Sequence, residues 1–298
     1  MAAEVRFYYM VPSEVVWRCE RRSMAYLPVG ALEWHGGHLP FGTDAMTVEH
    51  LAIRTARKAG GVVFPPVVYG DVRYRLAEHR AEWHRRYRRE MRLTGSQSPL
   101  FVYGTQEPRG AKGESGKNEI PLTYDEQAEH FVRHLGLVLM EIASYGFGAI
   151  AMLPGHGPTT SFCGQAAKLF AEQAKRTVLR PVPRVEVFAY LVEARAIEPN
   201  LKDLPLHADK IETSILLESN GENVHREKLP KSKDTIPGAY LSSPFLDPES
   251  GYRAEKKELW NAMAEMDPRQ ASVEYGRTII DYSVRQLSKK VKAWSPQR

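Results

Sequence analysis

At 298 residues, with 43% hydrophobic and 26% charged side chains, the chain has the make-up of a soluble globular protein, and length leaves one large or two ordinary domains open. Two cysteines, Cys19 and Cys163, far apart and without a CxxC pair, argue against a disulfide framework and a cysteine-type zinc site. The net charge of +5 admits a nucleic-acid partner, but most of the excess lies in Arg73 to Arg92, which includes HRAEWHRRYRREMR and reads as a solvated basic face; no nucleic-acid partner is expected.

The N-terminal run MAAEVRFYYMVPSEVVW has no basic start followed by a long apolar stretch, so no signal peptide is expected. Tyr26 to Ala31 (YLPVGA) is a short apolar run bounded by turn residues, which predicts a buried strand. A glycine-rich loop, EWHGGHLPFGTD, leads into a helix with Val48, Leu51, Ala52, Thr55, Ala56 and Ala59 on one face, stopped by Gly60-Gly61. Gly61 to Phe64 predicts a second strand closed by Pro65-Pro66. The basic segment follows, then a Gly/Ser/Lys-rich loop from Thr105 to Lys117. Thr123 and Glu126 have capping-box spacing for a helix carrying Phe131, Leu135, Val138, Leu139 and Ile142. Gly136 to Pro154 is the most apolar region, but Glu141, Ser144 and its glycines make it a helix followed by a strand, Phe147 to Leu153, and not a membrane span. A helix over about Thr160 to Lys175 and an alternating strand from Arg184 to Leu191 complete the pattern.

Strands alternating with helices predict an α/β fold, a three-layer sandwich with a mostly parallel central sheet and helices on both faces. With no internal repeat and no convincing linker, one domain is expected over 1–298, carrying a basic insertion at about 73–118. Cytoplasmic placement is the simplest expectation. In such sheets the active site lies beyond the carboxyl ends of the strands. Two histidine-bearing loops, Gly30 to Asp44 and Gly155 to Pro158, directly follow predicted strands.

Glu33, His35 and Asp44 offer oxygen, nitrogen and oxygen ligands within twelve residues. Residues two apart in extended chain project to one side, so Glu33 and His35 could serve adjacent metals. Asp44 falls at a helix start, where the dipole steadies a carboxylate, and a carboxylate can bridge two cations. The plainer reading of Asp44 is a helix cap, and of a loop histidine, polar surface. His156 stands between two glycines after the third strand, where a metal could approach the chain closely.

The run LPVGALEWHGGHLPFGTD at Leu27 to Asp44 closely resembles the first signature of the creatininase family. LPGHGPTT at Leu153 to Thr160 is similar to the family's second motif, Asn-Gly-His-Gly-Gly-Asn. HADKIETS at His207 to Ser214 resembles the third, and PGAYLSSP (Pro237 to Pro244) with AEKKELW (Ala254 to Trp260) the C-terminal pattern. The resemblance implies that Glu33 and His156 bind one metal, His35 the other, and Asp44 both, with His207 moving protons. Asp209 and Glu212 have capping-box spacing, and that structural role is read for Glu212 ahead of the alternative, metal binding. Ser214 is expected to cap or pack.

Two departures stand out. Pro154 and Pro158-Thr159 replace the second motif's usual Asn and Gly-Asn; creatininases themselves carry, two residues after the histidine, a glutamate that binds the second metal, and here that position is Pro158. The stretch Arg73 to Asn118 is also longer and more basic than in the family. Both point away from creatinine as substrate. The implied protein is a hydrolase in which a metal-activated water attacks a carbonyl of a small cyclic amide, formamide or ring ketone. It would hold one or two divalent ions (zinc, manganese or iron) and form a homo-oligomer, a hexamer by resemblance. The alternatives are a hydrolase opening a keto-inositol ring, or a non-catalytic metal-dependent small-molecule binding protein on the same fold.

Overall fold

The apolar run around Leu27 forms the central strand of a parallel sheet. A computed structural model describes residues 4–33, 35, 38–69, 124–178, 182–190, 197, 208–229 and 265–294. Strand β1 (Met24–Val29) pairs along its whole length with β3 (Ala149–Pro154), from Met24 opposite Ala149 to Val29 opposite Pro154. Strand β2 (Val62–Val63) lies on the other side of β1, and β4 (Arg184–Val187) on the outer side of β3, giving the order β2-β1-β3-β4 with every pair parallel. Every residue of β1 and β3 is buried. That is the signature of strands covered on both faces, and it explains why MAYLPV and AIAMLP show no alternation. Strand β2 is short because Pro65 and Pro66 have no N–H to give; pairing resumes where Val67 N donates to Pro28 O (3.0 Å) and Gly30 N to Val67 O (2.9 Å).

Helix α1 (Pro12–Arg21) precedes β1, and α2 (Thr43–Ala59) links β1 to β2. Helix α3 (Tyr124–Ser144) enters β3, and α4 (Thr159–Ala174) links β3 to β4. Helices α5 (Lys210–Asn220) and α6 (Val273–Trp294) follow the sheet. Side chains alternate along a strand. Met24 and Tyr26 of β1, with Ala149, Ala151 and Leu153 of β3, share a core with Leu51 of α2, Ile211 and Ile215 of α5, and Ile279, Ile280 and Leu287 of α6. Their neighbours Ala25, Leu27, Ile150 and Met152 face the opposite way and are equally buried. Right-handed crossovers from β1 to β2 and from β3 to β4 run in opposite directions along the sheet, so α2 and α4 cover opposite faces. The α/β sandwich expected from the pattern is the fold.

Most observed elements sit within two or three residues of the expected ones; β4 stops at Val187, four residues short of the expected Leu191, and neither Pro12–Arg21 nor Val273–Trp294 is expected as a helix. Gly60 and Gly61 stop α2 with φ of 86° and 101°, and a Cβ on Gly61 would stand 2.6 Å from Met24 O, which only glycine allows. By internal contacts the chain divides into two units, Met1–Tyr69 with Val132–Arg298, and Gly70–Phe131. The second includes the expected basic insertion at 73–118; that insertion, Thr123, and the motifs at 237–244 and 254–260 lie outside the described residues. Among the described residues, no helix is long and apolar enough to cross a membrane.

Candidate metal centre

The chain leaves β1 toward β2 on one side and β3 toward β4 on the other, so the strand order reverses between β1 and β3. Loops that follow two such strands splay apart and leave a crevice at the sheet's carboxyl edge. The loop after β1 is closed on itself by Glu33 N donating to Phe41 O (2.9 Å), and that after β3 is tied to β1 by Gly155 N donating to Val29 O (2.8 Å). Gly155 packs directly on the first turn of α2: a Cβ there would be 2.3 Å from the carbonyl oxygen of Asp44. That close approach is what brings His156 to Asp44.

Among the described residues, five ionisable side chains meet in the crevice. Glu33, His35 and Asp44 each offer an atom within 4.8 Å of the others. His156 Nδ1 is 2.9 Å from Glu33 Oε2 and 3.6 Å from Asp44 Oδ2. His35 Nε2 is 3.1 Å from Asp44 Oδ1 and 3.8 Å from Glu212 Oε2. His35, Asp44 and Glu212 are buried, while Glu33 and His156 retain some exposure on the open side. Asp44 is not a helix cap: Gly42 holds that position without a side-chain bond, and Asp44, in the first turn of α2, turns to the histidines.

The protonation states follow from the contacts. His35 Nδ1 lies 3.0 Å from Glu33 O, and since a carbonyl only accepts, Nδ1 carries a proton and donates it there. This is the usual way a backbone carbonyl orients a metal-binding imidazole, leaving Nε2 aimed at the carboxylates. Burial works to lower the His35 pKa, but Asp44, then Glu212 and Glu33, outweigh it and raise it to about 10. Burial likewise works to raise the Asp44 pKa, and His35 outweighs it and holds the carboxyl low. Glu212 is pushed up to about 8, by burial first and then by Asp209 and Asp44 against the pull of His35. In the metal-free protein the proton on His35 serves as the pocket's cation.

Glu212 is the residue that local spacing misreads. Asp209 caps α5 as expected, accepting from Ile211 N (2.8 Å) and Glu212 N (3.0 Å). Glu212, however, reaches past the reciprocal Asp209 N and accepts from Ala208 N (2.6 Å), where Ala208 sits at φ 52°. That bend leaves its carboxylate beside His35. His38, which the motif contains but to which no role is assigned, shares a 2.9 Å hydrogen bond through Nε2 with Thr213 Oγ1 of α5, and its carbonyl accepts from His225 N (2.8 Å). Burial, with His35 nearby, lowers its pKa to about 4, so it is neutral and positions the loop. Ser214 is buried and its Oγ accepts from Ser272 N (3.1 Å), tying α5 to the residue before α6. His207 lies outside the described residues.

The fold is similar to solved creatininases. One is a mutant creatininase, Type II, at 19% identity and TM-score 0.63, covering 99% of this chain and 100% of that one. A mutant creatininase of the zinc–zinc type gives 17% and 0.62 over 99% of both chains. A manganese creatininase gives 17% and 0.62, over 99% of this chain and 100% of that one. No curated protein matches the chain. The family Creatininase (creatinine amidohydrolase) matches residues 10–84 and 92–291, nearly the whole length and both loops of the crevice. The chain therefore belongs to the creatininase family.

Proposed function

We propose that the protein is a metal-dependent hydrolase that breaks a C–N bond of a small cyclic amide, with Glu33, His35, Asp44 and His156 holding the metal. The observation that carries this reading is the charge of the crevice. Glu33, Asp44 and Glu212 supply acid to a mostly buried space in which, among the described residues, two imidazoles are paired with them. Asp44 Oδ2 is buried and accepts no hydrogen bond. Buried carboxylates held this way are costly unless a cation joins them.

The donor set fits a divalent ion. Carboxylate oxygens and imidazole nitrogens without thiolate suit zinc, manganese or iron, and similar structures include zinc and manganese forms. When bound, the ion supplies Lewis acidity toward water and a carbonyl oxygen. Glu33 O fixes the ring of His35, and Asp44 presents one oxygen to each histidine. Overall, water adds across the amide: the carbonyl carbon gains oxygen, the C–N bond breaks, and nitrogen takes a proton. His207 is proposed to give that proton, on the motif resemblance. The same resemblance supports a homo-oligomer, which light scattering on the eluted protein would size.

The test is to purify the protein without chelator, measure its metal, and assay cyclic amides, formamides and keto-inositols with that metal restored. Stoichiometric metal with metal-dependent ring opening of an amide is expected. Metal-free protein that refuses zinc, manganese and iron alike would sink the reading; turnover of only the keto-inositols would move the substrate class.

A further inference from the structure

The five side chains do not point at one spot. Asp44 divides its oxygens, Oδ2 toward His156 (3.6 Å) and Oδ1 toward His35 (3.1 Å). On the Oδ2 side Glu33 is present, 2.9 Å from His156, so Glu33, Asp44 and His156 form a three-residue set. On the Oδ1 side, among the described residues of the first loop, His35 is the one paired with it. The loop after β3 adds nothing there: Gly157 and Pro158 are exposed and have no side-chain donor. Asp209 is committed to the N–H groups of Ile211 and Glu212. Glu212 remains, with Oε2 3.8 Å from His35 Nε2 and the residue buried.

We propose that Glu212 is a metal ligand, completing with His35 and Asp44 a second cation site beside the one formed by Glu33, Asp44 and His156. The inference rests on the metal-dependent reading above and adds a residue to it. A carboxylate oxygen has lone pairs for two partners, so Oε2 can keep the Ala208 N–H and still face a cation. The Ala208 bond thereby orients Glu212, as second partners orient metal ligands generally. Asp44 Oδ1 lies toward His35, and Oδ2, a buried oxygen without a hydrogen bond, is left to the side of Glu33 and His156, so one carboxylate faces both sites.

The experiment is calorimetric titration of metal-free protein with zinc, for wild type and Glu212→Gln. Glutamine keeps a carbonyl oxygen for Ala208 N and removes the charge. The wild type is expected to take two equivalents, and Glu212→Gln to take the first unchanged and the second at least about tenfold more weakly, as for loss of a group at a metal shell. A second equivalent bound by the variant with wild-type affinity, or a wild type that takes one equivalent only, overturns the proposal and leaves the hydrolase reading intact. A wild type that binds no zinc overturns the hydrolase reading itself. Should Glu212→Gln fail to fold, manganese on the wild type decides. Two equivalents are expected to give the spin-coupled spectrum of a carboxylate-bridged pair, and two independent signals contradict it.

Discussion

Helix α2 carries two clusters of charge, and they are built on opposite principles. Near its C-terminal half, Arg54 pairs with Glu218 of α5 (3.0 Å) and with Asp281 of α6, and His50 lies 2.8 Å from Glu218. At its N-terminus, Asp44 meets His35, His156 and, through His35, Glu212. The first cluster brings its own guanidinium, and its members stay partly open, with Asp281 41% exposed. The second has three acids, paired among the described residues with two imidazoles, and side chains of His35 and Asp44 only 0% and 3% exposed. A cluster that contains its counter-ion binds helices together. One whose counter-charge is a proton on imidazole, in a drier place, can give that proton up for a metal cation.

The contrast breaks most sharply at Asp44. Asp44→Ala removes the carboxylate shared by both histidines, and since a Lewis acid is worth several kcal/mol to such a reaction, activity should fall at least about 10³-fold. Metal content should fall with it. Metal-free Asp44→Ala should also melt below metal-free wild type, because His35 loses the carboxylate that partners it in the buried pocket. Unchanged activity and metal content would make Asp44 structural, like Glu218.

Gly155→Ala should have the next largest effect. Its Cβ would stand 2.3 Å from Asp44 O, so the loop must move and carry His156 with it. A loss of about 1–3 kcal/mol in denaturant unfolding is expected for such overpacking, together with about 10–100-fold weaker metal binding. Unchanged zinc affinity would show that His156 is not held at the metal by this contact.

Chelation comes third. An ion held at a hundred times its Kd stabilises the fold by about 2.7 kcal/mol, worth roughly 5–10 °C at this size. The midpoint should drop by that much on removal and return with zinc. The smallest effect belongs to Arg54→Met, which leaves Glu218 and Asp281 without their cation. A loss of about 1–2 kcal/mol is expected, between the values for exposed and buried pairs, with metal content unchanged. Loss of metal in Arg54→Met would mean that the two clusters are coupled.

What was legible in the sequence was local. The fully apolar runs of β1 and β3 mark strands covered on both faces, and a ligand-rich loop after each marks the crevice. Gly60-Gly61 and Pro65-Pro66 stop their elements for reasons of backbone chemistry alone. Helix α6 carries a readable signal, since Ile279, Ile280, Val284, Leu287 and Val291 recur at helical spacing and are buried; its many polar residues between them mask it. Glu212 was legible as part of the site only as the second of two readings. Its capping-box spacing from Asp209 is a local fact, whereas its approach to His35 depends on the turn at Ala208 and on the packing of α5 against α2, which no spacing encodes.

The most direct measurement is the zinc content of wild-type protein and of Asp44→Asn, each stripped, reloaded and freed of excess metal, read beside their circular dichroism. Stoichiometric zinc in the wild type and none in an equally folded Asp44→Asn is the predicted result. Equal zinc in both proteins, or none in either, would contradict a cation held between the loops after β1 and β3.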